Sequence, residues 1–404
     1  MQVQVAEETA AVPWSGAVSG PVPVTATESV MAASLQAAHM PGIDGLRGIA
    51  VLAVMLYHGM AYEAPKVDWG SQIANAVYGL TVWGWLGVNL FFVLSGFLIT
   101  GILDDTADKK NYYRRFYVRR ALRILPAYVA VLALAWATGF ATPNYVVICL
   151  LFLANMPGFF LHHGYTLYGP LWSLAVEEQF YLVWPALYRW LRRRGMLIVC
   201  VGLMVVCPVL RALAFSHLLR TGDVLSKTWM IADNLAVGAL LAILLRWPGV
   251  TLKRFIAIGW LQCIVGLVGL AILFASHRMG VQDLLRNSLG LSFFELVCGS
   301  AVVLMLCLFR ARRLPGWMRV FVFFGDISYG LYLIHLLLLQ IYDRMWDKGF
   351  TSDWKLLLLR FAVANGLAVV MAVVSKKFFE DPILRLKSRL SGDDRAKRYE
   401  ELAA

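Results

Sequence analysis

The chain has 404 residues, of which 60% are hydrophobic and only 15% charged; soluble domains run at roughly 45–50% and about 25%. A soluble fold has nowhere to hide that much apolar surface, so composition excludes an ordinary cytosolic domain. The formal net charge of +12 is confined to short basic segments between apolar blocks, which suits loops at anionic headgroups and excludes a nucleic-acid-binding stripe.

Residues 1–40 are rich in Ala, Val, Pro, Ser and Thr and contain no Lys or Arg. A secretory signal needs a basic start and an apolar core, so this stretch reads as a disordered tail. Apolar blocks follow at about 44–62, 80–103, 122–140, 145–160, 171–191, 196–215, 229–246, 254–276, 288–309, 321–344 and 356–380. Most reach the roughly 20 residues a helix needs to cross hydrocarbon.

Basic clusters at 109–123, 189–194, 246–254, 310–319 and 376–398 test the crossing count. If every block crossed, the cluster at 189–194 would lie opposite the one at 109–123. If block 145–160 does not cross, all the clusters share one side, as basic loops do. That block is short and interrupted by Asn155, Pro157 and Gly158. It therefore reads as re-entrant or interfacial, a place where protein must shelter the backbone. The expectation is an all-α, polytopic transmembrane helix bundle of about ten spanning helices, spanning 41–386, with both termini cytoplasmic. Residues 387–404 form a cytoplasmic tail. No internal repeat is visible. The six cysteines lie in apolar stretches without CxxC spacing, so neither a disulfide framework nor a metal site is indicated.

Ionisable residues inside apolar blocks cost roughly 2.5–3.5 kcal/mol each at a helix centre and need a reason. In the first block, Arg47 and His58 are eleven residues apart, close to three turns, which puts them on one face about 16 Å apart. In the fifth, Ser173, Glu177 and Tyr181 follow at four-residue spacing, so either neighbour could hydrogen-bond the carboxylate. Glu178 points elsewhere, and sequence leaves open which glutamate faces the bundle. At the entry to the third, Arg120 and Arg123 stand one turn apart, two guanidinium forks suited to phosphate.

These segments resemble the acyltransferase-3 family of membrane acyltransferases from about residue 41 to 386. Six motifs occur in order. Asp44-Gly45-Leu46-Arg47-Gly48 through His58 resembles the opening Arg-x10-His signature, and 87–99 (GVNLFFVLSGFLI) is similar to the second helix. Arg120-Ala121-Leu122-Arg123 resembles the RxxR motif, and 171–181 (LWSLAVEEQFY) the Trp-Ser-Leu-x-x-Glu motif. The segment 327–335, ending in His335, and Phe379-Glu380-Asp381-Pro382 complete the order. Asp381 departs from the basic or polar middle residue usual in the last motif.

The resemblance implies acyl transfer, most often of acetyl, from acyl-CoA as co-substrate to a hydroxyl of an extracytoplasmic carbohydrate, with no permanently bound cofactor. The setting it implies is a bacterial cytoplasmic (inner) membrane, with glycan-assembly machinery as a partner. It further implies that Arg120 and Arg123 bind the phosphates of the donor and that Arg47 guides its reactive arm. His58 would act as general base or transient acyl carrier, and Glu177 would orient it. Glu178, Ser173, Tyr181 and His335 are supporting candidates, His335 either in catalysis or as an interhelical link. His162, His163, His217 and His277 are expected in outer loops or at helix ends, and Trp83, Trp85, Trp172 and Trp184 at the interface. Some relatives carry an extracytoplasmic hydrolase-like domain, which this sequence is expected to lack. A transporter or flippase is the rival reading.

Overall fold

The computed structural model describes residues 40–61, 71–160, 169–216, 224–280, 282–308, 315–346, 354–386 and 390. Every regular element among them is helical. Eight helices are long and apolar enough to cross a membrane, or nine when the bent pair Met318–Asp326 and Ser328–Trp346 is one span. The chain is thus a multi-pass helical membrane protein.

We label the helices in order: α1 (Pro41–Leu56), α2 (Gln72–Thr81), α3 (Gly87–Thr106), α4 (Tyr112–Ala137), α5 (Pro143–Leu150), α6 (Pro157–Phe160), α7 (Leu171–Phe215), α8 (Thr228–Leu245), α9 (Leu252–Ala275), α10 (Leu291–Leu308), α11 (Met318–Asp326), α12 (Ser328–Trp346), α13 (Trp354–Ser375) and α14 (Asp381–Arg385). The 45 residues of α7 would run about 68 Å as one rod, twice the hydrocarbon thickness. Arg192, with φ 54° and ψ −170°, breaks it. Each half has the length of one crossing.

Block 145–160 forms no helix long enough to cross a membrane. It is the eight-residue α5, a left-handed turn at Phe152 (φ 54°) and the four-residue α6. Its backbone is sheltered by protein: Gln179 Nε2 donates to the Phe152 carbonyl (2.8 Å) and to Asn155 Oδ1 (3.0 Å). Asn155, fully buried, donates to Thr228 Oγ1 (2.9 Å), and Lys227 Nζ donates to its carbonyl (3.2 Å).

Two of the basic clusters, 189–194 and 246–254, meet at the acidic end of α3. Asp104, at the end of α3, accepts both fork nitrogens of Arg193 (2.8 and 2.7 Å). Its neighbour Asp105 accepts from Arg246 Nε (2.9 Å), and Arg192 pairs with Asp108 (2.9 Å). The 1–40 tail, apart from Met40, most of 387–404, and His162, His163 and His217 lie outside the described residues. His277 sits just past α9 in a left-handed turn (φ 56°).

Two crossings are set by close backbone approach. A Cβ on Gly48 would lie 1.9 Å from the Phe321 carbonyl oxygen of α11, and one on Gly96 2.0 Å from the Leu235 carbonyl oxygen of α8. Small residues permit such contacts between membrane helices. Each glycine adjoins a polar motif residue, Arg47 or Ser95, so the crossing also fixes where that side chain emerges.

The interfacial expectation fails for Trp184. It is 4% exposed, and its indole Nε1 donates to buried Thr100 Oγ1 at 2.9 Å. A tryptophan with its one donor satisfied can sit in a core.

Candidate functional site

Five helices surround an open cleft lined by Arg47, Ser95, Arg120, Arg123, Glu177, Tyr181 and Tyr332, with Phe91 and Phe92 among its apolar walls. Arg47 comes from α1, Ser95 from α3, the arginine pair from α4, Glu177 and Tyr181 from α7, and Tyr332 from α12. The four-residue and three-residue spacings read in the sequence thus place their polar faces on a common space.

The cations dominate one side. Arg47 is near Asp44 (3.8 Å). Neither Arg120 nor Arg123 forms an ion pair among the described residues, and the Arg120 guanidinium lies 4.7 Å from the Tyr181 ring centroid. Three guanidinium groups around a shared cavity repel one another unless an anion joins them, which is the arrangement a phosphate or carboxylate ligand relieves.

Glu177 is the glutamate that faces the cleft. Ser95 Oγ donates to its Oε1 at 2.7 Å, and the Tyr181 hydroxyl lies 3.5 Å from its Oε2 and 3.3 Å from Ser95 Oγ. The four-residue spacing to Tyr181 therefore makes a contact. The spacing to Ser173 does not: its hydroxyl lies 3.1 Å from the Pro170 carbonyl and 2.5 Å from the Tyr332 hydroxyl. Glu178 turns away, with a buried Oε1 that accepts no hydrogen bond from the described residues.

His58 is outside the cleft lining. A π-turn, Tyr57–Ala61, begins one residue before it, so the straight-helix projection from Arg47 stops there; π-turns recur at functional sites. The ring that meets it is His335, with His58 Nδ1 3.0 Å from His335 Nε2. His335 is fully buried, and its Nδ1 faces the Leu331 and Tyr332 carbonyls at 3.1 and 2.8 Å. Carbonyls only accept, so His335 carries its proton on Nδ1 and accepts at Nε2. His58 must then donate from Nδ1. A neutral His58 that donates from Nδ1 carries no proton on Nε2.

The structure thus gathers Arg47, Arg120, Arg123, Glu177 and Tyr181, and pairs His58 with His335 rather than with Glu177. Tyr332 stands between the two groups. It lines the cleft, bonds Ser173, packs on Phe91 (5.9 Å between centroids) and lies 5.9 Å from the His335 ring.

Sequence reasoning missed Ser95 and Tyr332, though both lie within its own motifs. It also missed a second polar cluster, in which Arg211 bonds Asp233 through both carboxylate oxygens (2.9 and 2.7 Å) and lies 3.9 Å from Glu295. Asn234 donates to Glu295 (2.8 Å) and accepts from Asn89 (2.9 Å). One ionisable residue in each of three apolar blocks was the available signal.

The cleft, its arginines and the adjoining imidazole pair sit in a chain that belongs to the acyltransferase-3 family: residues 40–375 match the family described as "Acyltransferase domain". Among relatives, the chain is similar to the peptidoglycan O-acetyltransferase OatA of Listeria monocytogenes, 27% identical over 377 residues that cover 85% of this chain and 56% of that one. It is likewise similar to the O-acetyltransferase OatA of Staphylococcus aureus, 28% identical over 387 residues, 85% of this chain and 57% of the relative. The chain thus spans little more than half the length of these relatives. No solved structure matches it.

Proposed function

We propose that this protein is an O-acetyltransferase of a bacterial cytoplasmic membrane, moving an acetyl group from acetyl-CoA on the cytoplasmic side to a hydroxyl of a cell-envelope glycan. The observation that carries the reading is the cleft in which Arg47, Arg120 and Arg123 converge, the last two without compensating ion pairs among the described residues. Both relatives are O-acetyltransferases by name, and the Listeria relative is named for peptidoglycan, which supports the acetyl group and the wall glycan.

In this reading Arg120 and Arg123 hold the donor's phosphates, and Arg47 lies further along the cleft beside the carboxylate of Glu177. The donor's reactive end must pass Tyr332 to reach His58. His58 Nε2 takes the proton of the acceptor hydroxyl as its oxygen bonds the acyl carbon. The carbon–sulfur bond then breaks, and the proton held on His58 passes to the departing thiolate, which returns the imidazole to its neutral form. His335 fixes the tautomer that makes this possible, the role a carboxylate fills in a serine-protease triad. Glu177, held by Ser95 and Tyr181, sets the polarity of the cleft rather than the orientation of the imidazole.

The test is mass spectrometry of envelope glycans from cells with the protein, with the His58→Ala variant at matched membrane level, or with neither. Loss of one acetyl increment in both altered strains supports the transferase. Unchanged acetylation with altered glycan export would replace it with a flippase.

A further inference from the structure

The π-turn that carries His58 has a second attachment. Arg360, on α13, is 8% exposed, and its NH1 donates to the Gly59 carbonyl at 3.0 Å. Its Nε and the other terminal nitrogen form a fork on Asp343 of α12, at 2.5 and 2.7 Å. Asp343 lies on the same helix as His335, eight residues further on. The contacts close a loop. It runs from the His58 ring to His335, along α12 to Asp343, through Arg360 to the Gly59 carbonyl, and back by one peptide to His58.

Two facts make this more than a staple between α12 and α13. A helix end leaves carbonyls without intrahelical donors, and Arg360 supplies one at the residue after His58. Gly59 also sits directly on α13, where an added Cβ would lie 2.4 Å from Phe361 Cδ2 and 3.3 Å from Asn365 Nδ2. The turn is therefore held from its backbone while His335 holds its ring.

We infer that Arg360, anchored by Asp343, is a positioning residue that fixes the π-turn so that His58 meets His335 in one orientation. It touches no reacting atom. The inference rests on the transferase reading for its effect on rate, but not for the clamp itself.

The decisive variant is the double substitution Arg360→Met with Asp343→Leu. Replacing both members of a buried ion pair by apolar residues of similar size is often neutral for stability, while here it also removes the Gly59 donor. In the purified protein in detergent, hydrogen exchange of peptides covering 57–61 should rise at least tenfold at an unchanged melting temperature. Under donor-dependent acetyl transfer, kcat should fall about 10–100-fold with donor KM unchanged, because a misplaced base loses rate rather than binding. A folded double variant with wild-type exchange at 57–61 would overturn the clamp, whatever the enzyme does. Raised exchange at undiminished kcat would overturn the positioning role. Wild-type protein that transfers no acetyl group would sink the transferase reading alone, since exchange still decides the clamp. Arg360→Lys, which keeps a donor, should restore much of the protection.

Discussion

Replacing His335 by Phe removes the acceptor for the His58 Nδ1 proton while keeping a ring in a fully buried site. Two losses follow under the proposed chemistry. As His58 takes a proton at Nε2, its bond to His335 changes from neutral to charge-assisted, from about 0.5–1.5 to about 1.5–3 kcal/mol. The gain present only in the transition state is then about 1.5 kcal/mol, or roughly tenfold in rate. An imidazole without its partner can also turn to the other tautomer or shift by about 1 Å, which costs on the order of 10²-fold. Together these predict a fall in kcat of about 10³-fold for His335→Phe. His335→Gln, whose side-chain oxygen can accept from Nδ1, should lose only about tenfold. The assay is transfer of labelled acetyl from acetyl-CoA in membranes with matched protein levels, with melting temperature as the control for folding. A folded His335→Phe variant with more than half the wild-type turnover would refute the assignment of His58 Nδ1 as donor and Nε2 as base.

Arg123→Ala should raise the donor KM by about 10–100-fold with a smaller change in kcat, as expected when a charge-assisted contact of about 1.5–3 kcal/mol is removed from ground and transition states alike. Titration of the variant with CoA alone checks this apart from turnover. Gly48→Ala and Gly96→Ala each place a methyl group within 2.0 Å of a facing carbonyl oxygen, and should cost about 1–3 kcal/mol as helices move apart; thermal melts in detergent would show it. Arg211→Met strands the Asp233 carboxylate in the bundle and should cost about 3–5 kcal/mol. Adding Asp233→Leu and Glu295→Met should recover most of that loss, again by melting temperature.

Spanning segments were legible because hydrocarbon imposes length and apolarity on each helix separately. That 145–160 forms no helix long enough to cross was legible through the charges around it, which obey one rule only if that block is skipped. The cleft was legible where the information is local: Arg120 with Arg123 and Glu177 with Tyr181 are each one turn apart. What joins different helices was not. The His58–His335 bond links residues 277 positions apart, and nothing in either segment announces the other. The same holds for Ser95 on Glu177 and Arg360 on Gly59. Ser173 shows the opposite error, since helical spacing offered it Glu177 while the fold gave it Tyr332. The π-turn at His58 has no sequence rule strong enough to reveal it.

The Arg211 cluster bears on how the chain is made. Arg211 leaves the ribosome 22 residues before Asp233 and 84 before Glu295, and an arginine alone in a nascent helix costs roughly 2.5–3.5 kcal/mol to release into lipid. The second half of α7 should therefore stay at the translocon until α8 arrives and supplies the counter-charge, so that the two leave as a hairpin. Nascent chains arrested with 196–215 already out of the exit tunnel but α8 still inside it should retain translocon cross-links at 196–215, whereas chains arrested with α8 also clear of the tunnel should lose them. Asp233→Leu should prolong the cross-linked state in the longer chains. Membrane insertion of this protein should thus be cooperative at this pair of helices.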